Sequence, residues 1–383
     1  MKFAKYQQHA LVSAGMILWS VASAFSTPQL LPATAPSSQI GQMPAPPPPS
    51  SNQTPTGLLI PQDPKEMLLA AAQVNGLDAP GLKPWHIFVS FDKFDEDGDN
   101  VDSGTYEEYW AGPKQYRLNY TSQDFTQTDV ATENSLFRTG ADKWPGELQT
   151  RVRDEFVRPM FREMNLDYEK PKKTSRDFGN LKLPCVLLRR SDGGNMIVSD
   201  DGLPSFCFEP DTLMLRFNKG GMGSVTVWEQ TVYRNIVKFQ GRFVARDIEV
   251  TRAGKLFLKL HLETLQSIPQ LNLADFTPPA NAAQIDEHKI TPDVRVLMLD
   301  YLLHQEMPKY PPSIHAPGGK AVMKYLITKE GRVTDVQFVE GNKEMQRALQ
   351  DALKKFEYRP FMVRGEPVEV EVKQQFVYEM HGR

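Results

Sequence analysis

The sequence has few of the residues that usually carry chemistry. Among 383 residues there are two cysteines and seven histidines. His86, His261, His288, His304 and His315 are scattered, none sits at metal spacing from another, and neither cysteine stands in a CxxC. HExxH, GxSxG and a Walker glycine loop are all missing. No charge sign dominates either, with 44 basic against 47 acidic residues. The overall balance thus gives no electrostatic reason to expect nucleic acid or an anionic membrane surface as partner. These absences point away from an enzyme and imply no cofactor and no metal.

Two stretches come near a motif and fall short. Asp95-Glu96-Asp97-Gly98-Asp99-Asn100 resembles the start of a calcium loop. Such a loop needs Gly at the sixth position and Glu at the twelfth, where this chain has Asn100 and Tyr106. A solvated hairpin turn is the simpler reading. Gly220-Gly221-Met222-Gly223 precedes Ser-Val-Thr-Val-Trp rather than a helix start, so a loop between strands is expected instead of a phosphate cradle.

The N-terminus reads as an export signal. Lys2 and Lys5 precede an apolar run from Ala10 to Phe25, which includes the small residues Ala22-Ser23-Ala24. The run is shorter than the ~20 apolar residues of a spanning helix. Residues 1–25 are therefore a cleaved signal peptide or a retained signal anchor, and a membrane anchor exists only in the second case. Both take the rest of the chain out of the cytoplasm. Residues 26–64 form a Pro-rich linker, with eleven prolines from Pro28 to Pro64. Such a segment favours extended polyproline II and buries no core.

Export bears on Cys185 and Cys207. They flank a hairpin-like segment and can face each other across it. A disulfide there adds ~3 kcal/mol in the chain-entropy model. The alternative is two buried free thiols.

Residues 65–284 have a dominant period of two, as in His86-Ile87-Phe88-Val89-Ser90-Phe91, with Asp, Gly and Asn turns between runs. One helical stripe interrupts them, Leu148, Val152, Phe156, Met160 and Met164, and Pro159 should end or kink it. The expected class is α+β, a curved antiparallel half-barrel-like sheet with one or two helices. In order and rhythm, KQYRLNYTSQDF, YRNIVKFQGRFVARDIEVTRAGK and LNLADFTPPAN resemble the LolA/LolB lipoprotein-carrier fold. Trp85, Phe91, Tyr109, Trp110, Tyr116, Tyr120, Phe137, Trp228 and Tyr233 either line an apolar cavity for an acyl chain or make an ordinary core.

Thr291-Pro292-Asp293 signals a helix start, continued by Val294 to Leu303. Residues 285–383 then read as strand 321–328, a charged turn, strand 333–340, helix 343–356 and a last strand from about Pro367 to Tyr378. With Tyr310-Pro311 at the entry and Tyr358-Arg359-Pro360 before the final strand, this αββαβ order resembles the TonB family C-terminal domain. The resemblance implies a binding module that receives an extended envelope or outer-membrane transporter segment beside its last strand. Carried over, the partner-binding residues are Tyr310, Pro311, Tyr358, Arg359, Pro360, Val368, Val370 and Val372. It also implies a part in energy-coupled transport, although the family's Ser and His pair stands here in reverse order as His9 and Ser13. The other reading is a carrier of lipid or lipoprotein with a purely structural C-terminal module.

Overall fold

The computed structural model describes residues 60–79, 81–140, 144–160, 169–190, 204–222, 227–309 and 318–379. The signal segment and the Pro-rich stretch as far as residue 59 lie outside the described residues.

Helix α1 (Pro64–Val74) begins where Asp63 caps it, its carboxylate accepting from Lys65 N and Glu66 N, with Pro64 at the first helical position. At its far end the buried Arg242 donates to the carbonyls of Ala72, Gln73, Asn75 and Gly76. One guanidinium thus satisfies carbonyls that a helix terminus leaves without partners.

Strands β1 (Trp85–Phe94), β2 (Asn100–Gly112), β3 (Gln115–Thr121), β4 (Thr126–Ala131) and β5 (Leu136–Gly140) follow as a meander. Helix α2 (Glu147–Val157) ends just before Pro159, as its sequence requires. Next come β6 (Glu169–Phe178), β7 (Leu181–Arg190), β8 (Ser205–Phe208), β9 (Leu215–Met222) and β10 (Val227–Arg234). A small hairpin, β11 (Val237–Phe239) and β12 (Arg242–Val244), precedes β13 (Asp247–Arg252) and β14 (Lys255–Ser267). Strand β9 runs through Gly220 and Gly221, so the glycine stretch begins inside a strand and not in a loop. Asp95–Asn100 is a hairpin turn, closed by the Asp95 carboxylate accepting from Asp97 N and Asp99 N.

Apart from β11 and β12, which pair only with each other, these strands build one large sheet in the order β5-β4-β3-β2-β1-β14-β13-β10-β9-β8-β7-β6. Alternation decides its faces. Trp85, Ile87, Val89 and Phe91 of β1 and Leu258, Leu260 and Leu262 of β14 point inward, against Met67, Leu68 and Ala71 of α1 and Val152, Phe156 and Val157 of α2. Each such side chain contributes about 1.5–3 kcal/mol by leaving water.

The same inner face holds buried charge. Arg153 of α2 donates to both oxygens of Glu108, at 3.1 and 3.0 Å, and Tyr106 OH donates to Glu108 as well. Burial, then the neighbouring Glu108 charge, drives the Tyr106 pKa well above its ordinary value. Arg138 pairs with Asp129 at 2.6 Å, both almost fully buried. Such pairs fix geometry more than they add stability, but removing one partner is costly.

The Cys185–Cys207 disulfide forms between directly opposed residues of β7 and β8. It lies on the outer face in a small cluster with Leu183 and Phe217.

Beyond β14 the chain runs through β15 (Ala283–Gln284), β16 (Lys289–Ile290), the helical turn α3 (Val294–Val296), a π-turn (Leu297–Tyr301) and β17 (Leu302–His304). The helix expected as far as Leu303 stops at Tyr301, because Leu302 enters a two-strand pairing with Tyr358. The C-terminal sheet follows: β18 (Gly318–Ile327), β19 (Val333–Gly341), α4 (Gln346–Leu353), β20 (Glu357–Tyr358), β21 (Phe361–Val363) and β22 (Glu366–Glu379). The class is α+β, a large antiparallel sheet and a small C-terminal sheet.

Candidate functional site

The C-terminal sheet has the order β16-β22-β18-β19. Its inner face carries Ala321, Met323, Tyr325 and Ile327 of β18 and Val368, Val370 and Val372 of β22. Against them pack Met345, Leu349, Leu353 and Phe356, the stripe of α4 and its flanks. Gly331, at φ +81°, closes the β18–β19 turn beside Tyr358, where a Cβ would fall 1.8 Å from the Tyr358 carbonyl oxygen. Only glycine fits there.

Tyr358 is a core residue. Its hydroxyl lies 3.1 Å from that of Tyr325, which donates to Gln374 of β22 at 2.7 Å. Burial pushes the Tyr358 pKa up to about 12 and that of Tyr325 higher. Arg359 is half-buried and its N–H donates to Tyr301 O at 2.7 Å, while Pro360 is exposed. The structure therefore brings Val368, Val370 and Val372 together on one strand but places Tyr358–Pro360 on β20 and the turn after it. Tyr310 and Pro311 lie outside the described residues.

Strand β22 is 14 residues long, and its two edges differ. One pairs with β18 from Val370 to Glu379. Elsewhere β21 pairs with Glu366–Val368 and β16 pairs in parallel with Glu369 and Val370. From Val372 onward, no strand lies on the side away from β18 among the described residues. Since the valines face inward, what this edge offers is main chain. Lys373, Gln375 and Val377 are exposed along it.

The segment 283–290 ties this sheet to the large one, and nothing in its short strands signals that in sequence. β15 pairs with β5, and Ile285 N donates to Leu136 O at 2.9 Å. Glu287 accepts from Leu136 N at 2.7 Å and from Arg364 Nε. Arg364 also donates to the carbonyls of Thr132, Glu133 and Asn134 in the β4–β5 turn. Ala131 and Leu136 complete the apolar core of the C-terminal sheet. A polar pocket of about 500 Å³ opens here, lined by Ser135, Gln284, Asp286, Glu287, His288 and Arg364 among others.

Most of the aromatic set on the large sheet is packed. Trp85, Phe91, Tyr120 and Tyr233 are buried in the main core, with Trp110 and Tyr116 partly buried against it. Of the set, Tyr233 lines a void of about 10 Å³, room for about one water.

No curated protein matches the chain. It is similar to the structure of a LolA superfamily protein from Nitrosomonas europaea, at 11% identity and TM-score 0.37, over 56% of this chain and 97% of that one. A putative outer membrane lipoprotein-sorting protein domain from Vibrio parahaemolyticus is similar at 8% identity and TM-score 0.33, over 51% of this chain and 90% of that one. A DUF1329 family protein from Desulfovibrio piger follows at 10% and 0.34, over 52% and 91%. Residues 307–380 match the family model of the Gram-negative bacterial TonB protein C-terminal, the segment that holds β18, β19, α4 and β22.

Proposed function

We propose that this chain is a non-enzymatic binding protein of the Gram-negative envelope, exported to the periplasm, that takes up an extended partner segment by strand addition along β22. The carrying observation is the β22 edge from Val372 onward, which no strand covers among the described residues. The family match over residues 307–380 supports the same reading. Each main-chain hydrogen bond to an added strand contributes a net ~1 kcal/mol, so several in a row suffice for a specific contact. A carrier of apolar ligands is less favoured, because α1 and α2 fill the inner aromatic face.

Adjacent strand residues direct their N–H groups to opposite edges. Of Lys373→Pro and Gln374→Pro, one loses a bond to β18 and the other loses an open-edge donor. The reading expects the variant that loses the open-edge donor to stay folded and yet capture none of the envelope partners that wild type captures. Equal capture by both folded variants and wild type contradicts it.

A further inference from the structure

The open edge of β22 carries a side-chain pattern of its own on the sheet face away from α4. Cross-strand partners share a face, and β18 is registered on β22 with Leu326 opposite Glu371, Lys324 opposite Lys373, Val322 opposite Gln375 and Lys320 opposite Val377. Val370 and Val372 are buried on the inner face, so Glu371, Lys373, Gln375 and Val377 stand on the outer one by alternation. Lys324 therefore meets a like charge directly across the pair, and its ammonium turns to Glu371 instead, at 3.0 Å. On its other side Lys324 faces Gln337 of β19, which brings no charge. Lys373 is left exposed and in no ion pair among the described residues.

This cation stands where an added strand would begin. Lys373 follows Val372 directly, beyond the last β22 residue that β16 pairs with. The strand on the β18 side offers it repulsion, so the place for a counter-charge is the strand added on the other side. Further along the same face Val377 is 62% exposed, and an apolar side chain opposite it would take it out of water. Gln375 between them is neutral and exposed. A lysine on an open edge also discourages indiscriminate pairing. The two roles agree, because a cation that opposes basic strands admits an acidic one.

Resting on the reading of β22 as the docking edge, we propose that Lys373 sets the specificity of strand addition: the partner is an extended segment with a carboxylate opposite Lys373 and an apolar residue opposite Val377. The two partner side chains share the outer face and have the same spacing as Lys373 and Val377 in β22, whichever way the partner chain runs. Main-chain hydrogen bonds hold the added strand, and these two side chains fix its register and the sign of its charge.

The probe is a library of random peptides displayed on phage, panned against the immobilised full chain. Wild type should enrich peptides in which Asp or Glu stands four residues from Val, Ile or Leu. A selected peptide should bind roughly three- to ten-fold more tightly than its copy with Lys in place of the acid, the difference between a favourable and a repulsive cross-strand pair. Added salt should shrink that ratio. Lys373→Glu should reverse it in favour of the Lys copy, and Lys373→Gln should bring it close to one, each variant being checked by its melt. A ratio that does not follow residue 373 would overturn the proposal and leave strand addition standing, provided the open-edge proline variant captures none of the peptides. Equal binding of the peptides to that proline variant, or no enrichment at all, would overturn the reading of β22 and the proposal with it.

Discussion

Arg364 and Glu287 form an ion pair that fastens the C-terminal sheet to the large one. Arg364 sits in the β21–β22 turn at φ +49°, followed by Gly365 at +81°, so both central residues of the turn are left-handed, as a tight hairpin requires. Its guanidinium leaves the turn to meet Glu287 and three carbonyls of the β4–β5 turn. Arg364→Asn keeps the left-handed preference and removes the cation. It should cost about 1–3 kcal/mol, less than a fully buried pair because both side chains are partly exposed. A double-mutant cycle with Glu287→Gln on thermal unfolding should return a coupling above about 0.5 kcal/mol. Additive effects would mean that the two do not act together.

The disulfide gives a second prediction. Cys185 and Cys207 close a loop with a sequence separation of 22. Denatured protein without reductant should show no thiol, and reduction should lower stability by about 3 kcal/mol. Full thiol labelling before reduction would rule out the bridge.

A third concerns pH. Glu107 accepts from His86 at 2.9 Å, from Tyr109 OH at 3.0 Å and from Asn119 Nδ2 at 3.0 Å. The His86 hydrogen bond leads these in lowering the Glu107 pKa below 4.5, against the opposing effect of burial. A carboxylate with a depressed folded pKa adds stability above its unfolded value and loses it as pH falls through the folded one. Wild type should therefore exceed Glu107→Gln in melting temperature near neutrality, and the gap should narrow below about pH 4.5. A gap constant down to pH 3 would contradict the assignment.

Much of this fold could be read from alternation. Val368, Val370 and Val372 announced a strand with one buried face, and Pro159 marked the end of α2. Helix α1 was missed although Asp63-Pro64 is a cap and a first turn, because a Pro-rich stretch runs directly into it. The tie between the sheets was not legible. β15 and β16 have two residues each, too few for a period, and Arg364 meets Glu287 only after 77 residues of chain return.

Amide hydrogen exchange along β22, with and without a captured partner peptide, tests the central claim most directly. Alone, the chain should show alternating protection from Val372 to Val377: slow amides bonded to β18 and fast amides on the open edge. With the peptide bound, the fast set should slow to the rate of its neighbours while the rest of the chain stays unchanged. Open-edge amides that remain fast when the peptide is bound, or protection that appears only elsewhere, would contradict strand addition at β22.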